Sequence, residues 1–127
     1  MIWNTNSDGY FYLKKDPDTL ITDSLFFHKL NTKNKEDLLI YKETDKEFNL
    51  SISLSRTKKR LLLQISKTES NEFRILDLEK DDSRLTVFHK RKNKHLYYID
   101  DSPENFFILS NKNGQKNFAL YTSPLTY

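Results

Sequence analysis

The chain has no cysteine, so no disulfide framework can hold it together, and a reducing compartment suits it. Its only two glycines, Gly9 and Gly114, lie near opposite ends. That separation excludes the Gly-x-Ser-x-Gly nucleophile elbow of α/β-hydrolases and any glycine-rich phosphate-cradling loop. Ala119 is the sole alanine, which leaves little from which to build a helical bundle. Nowhere do about 18 apolar residues run together, so no helix of this sequence spans a bilayer. The start, Met1-Ile2-Trp3-Asn4-Thr5-Asn6, lacks the basic end and apolar core of a secretion signal. These absences lead to the expectation of a soluble, cytoplasmic chain with no membrane partner and no cofactor.

What the sequence does contain is aromatic residues and charge. Nine Phe, seven Tyr and one Trp make up 13% of the 127 residues, too many for a disordered tail. The length allows one domain with a single core. Charged residues make up 31%, yet 21 basic against 18 acidic side chains leave a net charge of only +3. The basic runs are short, Lys58-Lys59-Arg60 and Lys90-Arg91-Lys92-Asn93-Lys94-His95, and an alternating apolar segment follows each. They read as solvated turns between strands, so no nucleic-acid partner is expected.

Strand-like segments fill the chain. They run Tyr10–Lys14, Leu25–Leu30, Leu38–Tyr41, Phe48–Leu54, Leu61–Ser66, Glu72–Asp77, Leu85–His89, Leu96–Ile99, Asn105–Leu109 and Asn117–Thr122, with a shorter one at Ile2–Asn4. Turn residues separate them at Ser7-Asp8-Gly9, Asp16-Pro17-Asp18, Asn31–Asn34, Asp81-Asp82-Ser83, Asp101-Ser102-Pro103 and Asn113-Gly114. The expected class is all-β. Trp3, Leu50 and Tyr97 follow one another at intervals of 47 residues, and Ile40 and Val87 are also 47 apart. Phe26, Phe73 and Phe118 are spaced by 47 and 45, and Phe11, Leu62 and Phe107 by 51 and 45. Four strands per repeat of this length match one β-propeller blade. Counting strands places blades over residues 1–43 and 48–90 and an incomplete blade over 95–127. That is about two and three-quarter four-stranded antiparallel blades. A propeller closes with roughly four to eight, so two apolar blade faces should stand open.

The same residues carry a family resemblance along nearly the whole chain. Trp3 precedes Phe11-Tyr12-Leu13, and Asp37-Leu38-Leu39-Ile40-Tyr41-Lys42-Glu43 matches an Asp-x-Leu-x-Tyr-x-Glu segment. Ser55-Arg56-Thr57-Lys58-Lys59-Arg60 matches a polar hairpin turn. Ser66-Lys67-Thr68 and Glu72-Phe73-Arg74-Ile75-Leu76-Asp77 match a Ser-Lys-Thr and Glu-Val-Arg-x-Leu-Asp pair, the most specific stretch. Phe106-Phe107-Ile108-Leu109-Ser110-Asn111 and Lys116-Asn117-Phe118-Ala119-Leu120 complete the ordered set. In these features the chain resembles the oligopeptidase B branch of the prolyl oligopeptidase family of serine peptidases. It departs from that pattern at Leu96 and Asp101, where the branch has Glu and His, and by one extra residue between Thr68 and Glu72. The resemblance implies a seven-bladed propeller with a C-terminal α/β-hydrolase domain. This chain would cover less than half of that propeller. Met1 would then fall inside a blade and Tyr127 before the next blade strand, as in a split, truncated or cut sequence.

Few side chains invite chemistry. His28 sits mid-strand among Phe26, Phe27 and Leu30, the setting of a satisfied structural histidine rather than a base with a positioned partner. His89, His95, Asp100 and Asp101 are the nearest approach to a metal set, but a basic turn lies between them and opposes a cation. Asn49-Leu50-Ser51 has the glycosylation pattern inside a strand and reads as idle. Glu72 and Arg74 share a strand face and are candidates for an ion pair between blades or for an ordinary exposed pair. Phe26-Phe27, Tyr97-Tyr98 and Phe106-Phe107 each place rings on both strand faces, as core packing on both sides of a blade requires. No catalytic, cofactor-binding or metal-ligating residue is therefore assigned.

The resemblance implies a non-catalytic part of a ring that restricts a serine active site to short peptides, with cleavage after Lys or Arg. The partners it implies are the remaining blades, an α/β-hydrolase domain on the same or another chain, and oligopeptides only in the complete enzyme. The alternative is a stand-alone β-rich module that assembles through its open faces. Leu61-Leu62-Leu63-Gln64-Ile65 and Phe106-Phe107-Ile108-Leu109 carry no charge, and uncovered they would make the isolated chain poorly soluble.

Overall fold

The computed structural model describes residues 1–4, 8–32, 36–80, 84–112 and 118–125. Among these there is no helix long and apolar enough to cross a membrane. The chain forms strands β1 (Ile2–Trp3), β2 (Gly9–Lys15), β3 (Thr22–Lys29), β4 (Leu38–Lys42), β5 (Asn49–Leu54), β6 (Arg60–Lys67), β7 (Ser70–Asp77), β8 (Thr86–His89), β9 (Tyr97–Asp101), β10 (Asn105–Ser110) and β11 (Ala119–Pro124). They pair in sequence order into three antiparallel sheets, β1–β4, β5–β8 and β9–β11, and no sheet closes on itself. Three of the four repeat series fall where the spacing puts them; in the other, Phe26 and Phe73 lie in third strands but Phe118 falls just before β11. Trp3, Leu50 and Tyr97 lie in the first strands, Phe11, Leu62 and Phe107 in the second, and Ile40 and Val87 in the fourth. A bulge interrupts the third-to-fourth strand pairing in both four-stranded sheets, at Leu25/Phe26 and at Phe73/Arg74. The repeat thus extends to a local irregularity.

Side-chain alternation decides how the sheets stack. Leu50, Leu61, Leu63 and Ile65 of the second sheet pack against Phe11 and Leu25 of the first. On the opposite face, Leu62, Phe73 and Ile75 pack against Tyr97, Ile99 and Phe106 of the third. The run Leu61-Leu62-Leu63 is thereby buried on both faces of one strand. Gly9 opens β2 where a Cβ would lie 2.7 Å from the His28 carbonyl oxygen and 2.4 Å from the Phe27 ring, so only glycine fits.

The structure differs from the sequence expectation in several particulars. Gly9 and Asp101 belong to strands rather than turns. The turns expected at Asp81-Asp82-Ser83 and Asn113-Gly114 lie outside the described residues, as do Ser7 and part of Asn31–Asn34. The aromatic pairs are not all enclosed on both faces. Tyr97 and Phe106 are buried, whereas Tyr98 is 44% and Phe107 36% exposed, because no sheet covers the outer face of β9–β11. The first sheet's outer face is likewise uncovered. It carries an aromatic ladder in which the Trp3 and Tyr10 rings are 5.2 Å apart, Tyr10 and His28 5.2 Å, and Tyr12 and Phe26 5.6 Å.

Leu63 has no exposed surface, while Leu120 on the open third sheet is 67% exposed. Leu63→Ala should therefore cost about 2–5 kcal/mol of folding free energy, and Leu120→Ala less than about 0.5 kcal/mol. Denaturant titrations followed by circular dichroism compare the two, and equal losses would mean that the outer face is covered.

Candidate functional site

Beside neutral hydrogen bonds such as those of the buried Asn71 amide to the Tyr97 backbone, two charged links join the sheets, and both draw on the basic runs that the sequence presents as solvated. In the β5–β6 turn, the Arg56 backbone N–H donates to Asp100 Oδ1 at 2.8 Å. Thr57 donates its N–H to Asp101 Oδ1 at 3.0 Å and its hydroxyl to Oδ2 at 2.6 Å. Arg60 Nη1 reaches the same oxygen at 2.6 Å. Lys58, with φ of 64°, gives the turn the tight reversal that aims these donors at β9. Asp101 has no exposed surface. Burial alone would raise its pKa, but the Thr57 hydrogen bonds and Arg60 outweigh it and hold the carboxyl below its ordinary value.

Arg91 makes the second link, between the first and second sheets. It donates from Nη2 to Glu43 at 2.5 Å, and from Nε and its backbone N to Glu72 at 3.3 and 3.2 Å. Arg74 donates to the other Glu72 oxygen at 2.7 Å, and its guanidinium lies 4.5 Å from the Tyr41 ring centroid. The Glu72–Arg74 pair therefore forms within one strand, and Arg91 carries the ionic link across to Glu43. Burial pushes Glu43 and Glu72 up, yet their arginine partners bring both carboxyls below the ordinary value. Nothing in the spacing of the Lys90–His95 run singles out Arg91. Nor does the sequence single out Asp100 and Asp101 for the β5–β6 turn, which lies 44 residues away along the chain.

The other candidates are placed plainly. His28 is buried and its Nδ1 lies 2.6 Å from Asp37, which also accepts from the Tyr12 hydroxyl. Asp37 is held below its ordinary value by that Tyr12 hydrogen bond first. His89 and His95 sit with ring centroids 5.3 Å apart, while Asp100 and Asp101 are engaged at the far end of β9, so the four do not converge. Among the described residues there is no cluster of three metal-capable side chains. His95 Nε2 lies 2.9 Å from Ser110 Oγ, but that serine is only 2% exposed and already accepts the Lys112 N–H. His95 Nδ1 is buried with no hydrogen-bond partner among the described residues, so no carboxylate orients the ring. The arrangement holds backbone; it does not activate a nucleophile.

A model of the family described as "Prolyl oligopeptidase, N-terminal beta-propeller domain" matches residues 1–126. The chain belongs to that family. It is 30% identical over 124 residues to dipeptidyl aminopeptidase BI of Pseudoxanthomonas mexicana, covering 98% of this chain and 17% of that protein. It is also 30% identical over 125 residues to protease 2 of Moraxella lacunata, covering 98% and 18%. Among solved structures, oligopeptidase B from Leishmania major superposes with a TM-score of 0.90 at 24% identity, over 97% of this chain and 17% of that one. The closed form of oligopeptidase B from Trypanosoma brucei with covalently bound antipain gives 0.90 at 21%, over 98% and 18%. The sheets are thus blades of a partial, unclosed propeller, two of them four-stranded and one with three strands. The chain spans under a fifth of the length of the curated relatives it matches.

Acid should loosen the links in a defined direction. Asp101, Glu43 and Glu72 all titrate below their ordinary values when folded. Their stabilisation is therefore complete above about pH 5, where the unfolded carboxyls are ionised, and is lost as pH falls through the depressed folded values. Melting temperature measured from pH 7 to pH 3 should fall at the acid end. Asp101→Asn should lower neutral-pH stability by about 3 kcal/mol and flatten the acid limb. An unchanged limb would mean that Asp101 is protonated or unpaired in the folded chain.

Proposed function

We propose that residues 1–127 are a non-catalytic part of the propeller of an oligopeptidase B-type serine peptidase. In this reading the blades occupy residues 1–43, 48–90 and 95–127. The remaining blades and an α/β-hydrolase domain lie on the same or a separate polypeptide. The assembled ring admits oligopeptides to a shielded serine and rejects folded proteins, with cleavage after Lys or Arg, and it acts in the cytoplasm. The observation that supports this most is the family match from residue 1 to 126 in a chain spanning 17% of its relative. Size exclusion needs a rigid wall, and the links through Asp101 and Arg91 supply rigidity between blades.

A second reading, assembly of a stand-alone module through its open faces, draws support from the exposure of Trp3 at 45% and Tyr98 at 44%. The two readings part on a simple assay. The 127-residue chain alone should show no turnover of an arginine peptide ester, and should sediment without forming a defined oligomer. Turnover abolished by a serine-directed inhibitor would overturn the first reading. A discrete, stable oligomer would favour the second.

A further inference from the structure

One cleft between the second and third sheets gathers basic side chains that neither charged link uses. It encloses about 430 Å³ between the end of β8, the β8–β9 turn and the β10–β11 edge, the size of a small-molecule site. Phe88, Tyr97 and Ile108 are among its lining residues. Lys92 and Lys94 come from the turn and Lys112 from the end of β10, with His89 and His95 beside them. No carboxylate lines the cleft among the described residues, and none of the three lysines is ion-paired there. Lys42, Lys67 and Arg91, by contrast, have acidic partners.

The two rims that carry these cations are tied together. Asn111 accepts the Leu96 N–H at 2.8 Å and donates to the Lys94 carbonyl at 3.4 Å. The Lys92 carbonyl accepts from the buried Ser70 hydroxyl at 2.8 Å, and from the His95 N–H at 3.1 Å. Lys94 has φ of 61°, a conformation that costs energy for a residue with a Cβ. Lys112 Nζ is held 3.9 Å from the Tyr121 ring centroid. The frame holds the backbone of these exposed lysines at the cleft, where no lining carboxylate offsets their like charge. His95 registers the field: burial first, then His89, Lys92 and Lys112, press its pKa below the ordinary value.

The geometry points to a binding site for a small, multiply charged phosphate-bearing anion in this cleft, with Lys92 and Lys94 on one rim and Lys112 on the other. Lysines on opposite rims suit an anion with more than one charged group, and ammonium groups serve phosphate as point charges. Arg91 of the same run is committed to Glu43 and Glu72, so the run does not present a continuous stripe to a nucleic-acid backbone. The site stands whether or not the peptidase reading does.

Isothermal titration of the full chain with inorganic pyrophosphate, at fixed ionic strength, tests it. Saturable one-site binding is expected, with the His89 and His95 ring resonances shifting to the same saturation point. Lys92→Gln with Lys112→Gln should weaken binding by about tenfold or more. Lys58→Gln with Lys59→Gln removes the same charge from the β5–β6 turn and should change binding by less than about twofold. All four lysines project from turns or strand ends, and circular dichroism confirms that the variants keep the fold. Failure to saturate, or equal weakening by the two double variants, would overturn the site and leave only diffuse attraction to a basic surface.

Discussion

A sheet that is apolar on both faces cannot stand alone in water, and the second sheet is such a sheet. Leu61, Leu63 and Ile65 demand a cover on one side, and Leu62, Phe73 and Ile75 on the other. The first and third sheets meet that demand and pass it on, because they alternate in the same way and carry their own outer faces. Trp3, Tyr10, Tyr12 and Phe26 line one, and Tyr98, Phe107 and Leu109 line the other. In a stack of this kind each cover needs a cover, and only a closed ring ends the series. The described strands therefore leave two apolar faces that call for a cover.

Apolar packing says that sheets must meet but not how. Direction comes from the polar links, which sit at opposite ends of the second sheet. Asp101 gathers donors from the β5–β6 turn at one end, and Arg91 spans Glu43 and Glu72 at the other. Buried ion pairs add little net stability over a well-packed apolar replacement. Misplacement is what they make costly. A slip of one residue between sheets would leave the fully buried Asp101 without Thr57 and Arg60, and an unpaired buried charge is among the most expensive faults a fold can carry.

How much of this the sequence discloses depends on what sets each feature. Strand positions and the 47-residue repeat were legible because period-two alternation and turn residues are local, and Trp3, Leu50 and Tyr97 do occupy first strands. Side-chain direction at turns was not. Arg60 and Arg91 sit in runs of like charge that read as solvated, and only the backbone path beside them turns each toward an acid distant in sequence. Asp100 and Asp101 were visible as acids near two histidines. Their spacing along β9 sends them to the far end of the strand from His95, so proximity in sequence misled. The open face bearing Tyr98 and Phe107 depends on which sheet is next door, and no local pattern within β9 or β10 encodes a neighbour.

The same distinction separates residue types that do chemistry from arrangements that can. His95 touches Ser110, and His28 touches Asp37 beside Tyr12, so the ingredients of acyl transfer occur in pairs. Neither pair makes a site. A nucleophile must be reachable and its base oriented, whereas Ser110 is buried at the end of β10 and His95 Nδ1 faces no carboxylate. His28 has its carboxylate, but the rings of Tyr10 and the Tyr12 hydroxyl surround the pair and no hydroxyl nucleophile stands at its free edge among the described contacts. These groups satisfy strand ends and sheet faces. The difference lies in access and orientation, not in which residue types are present.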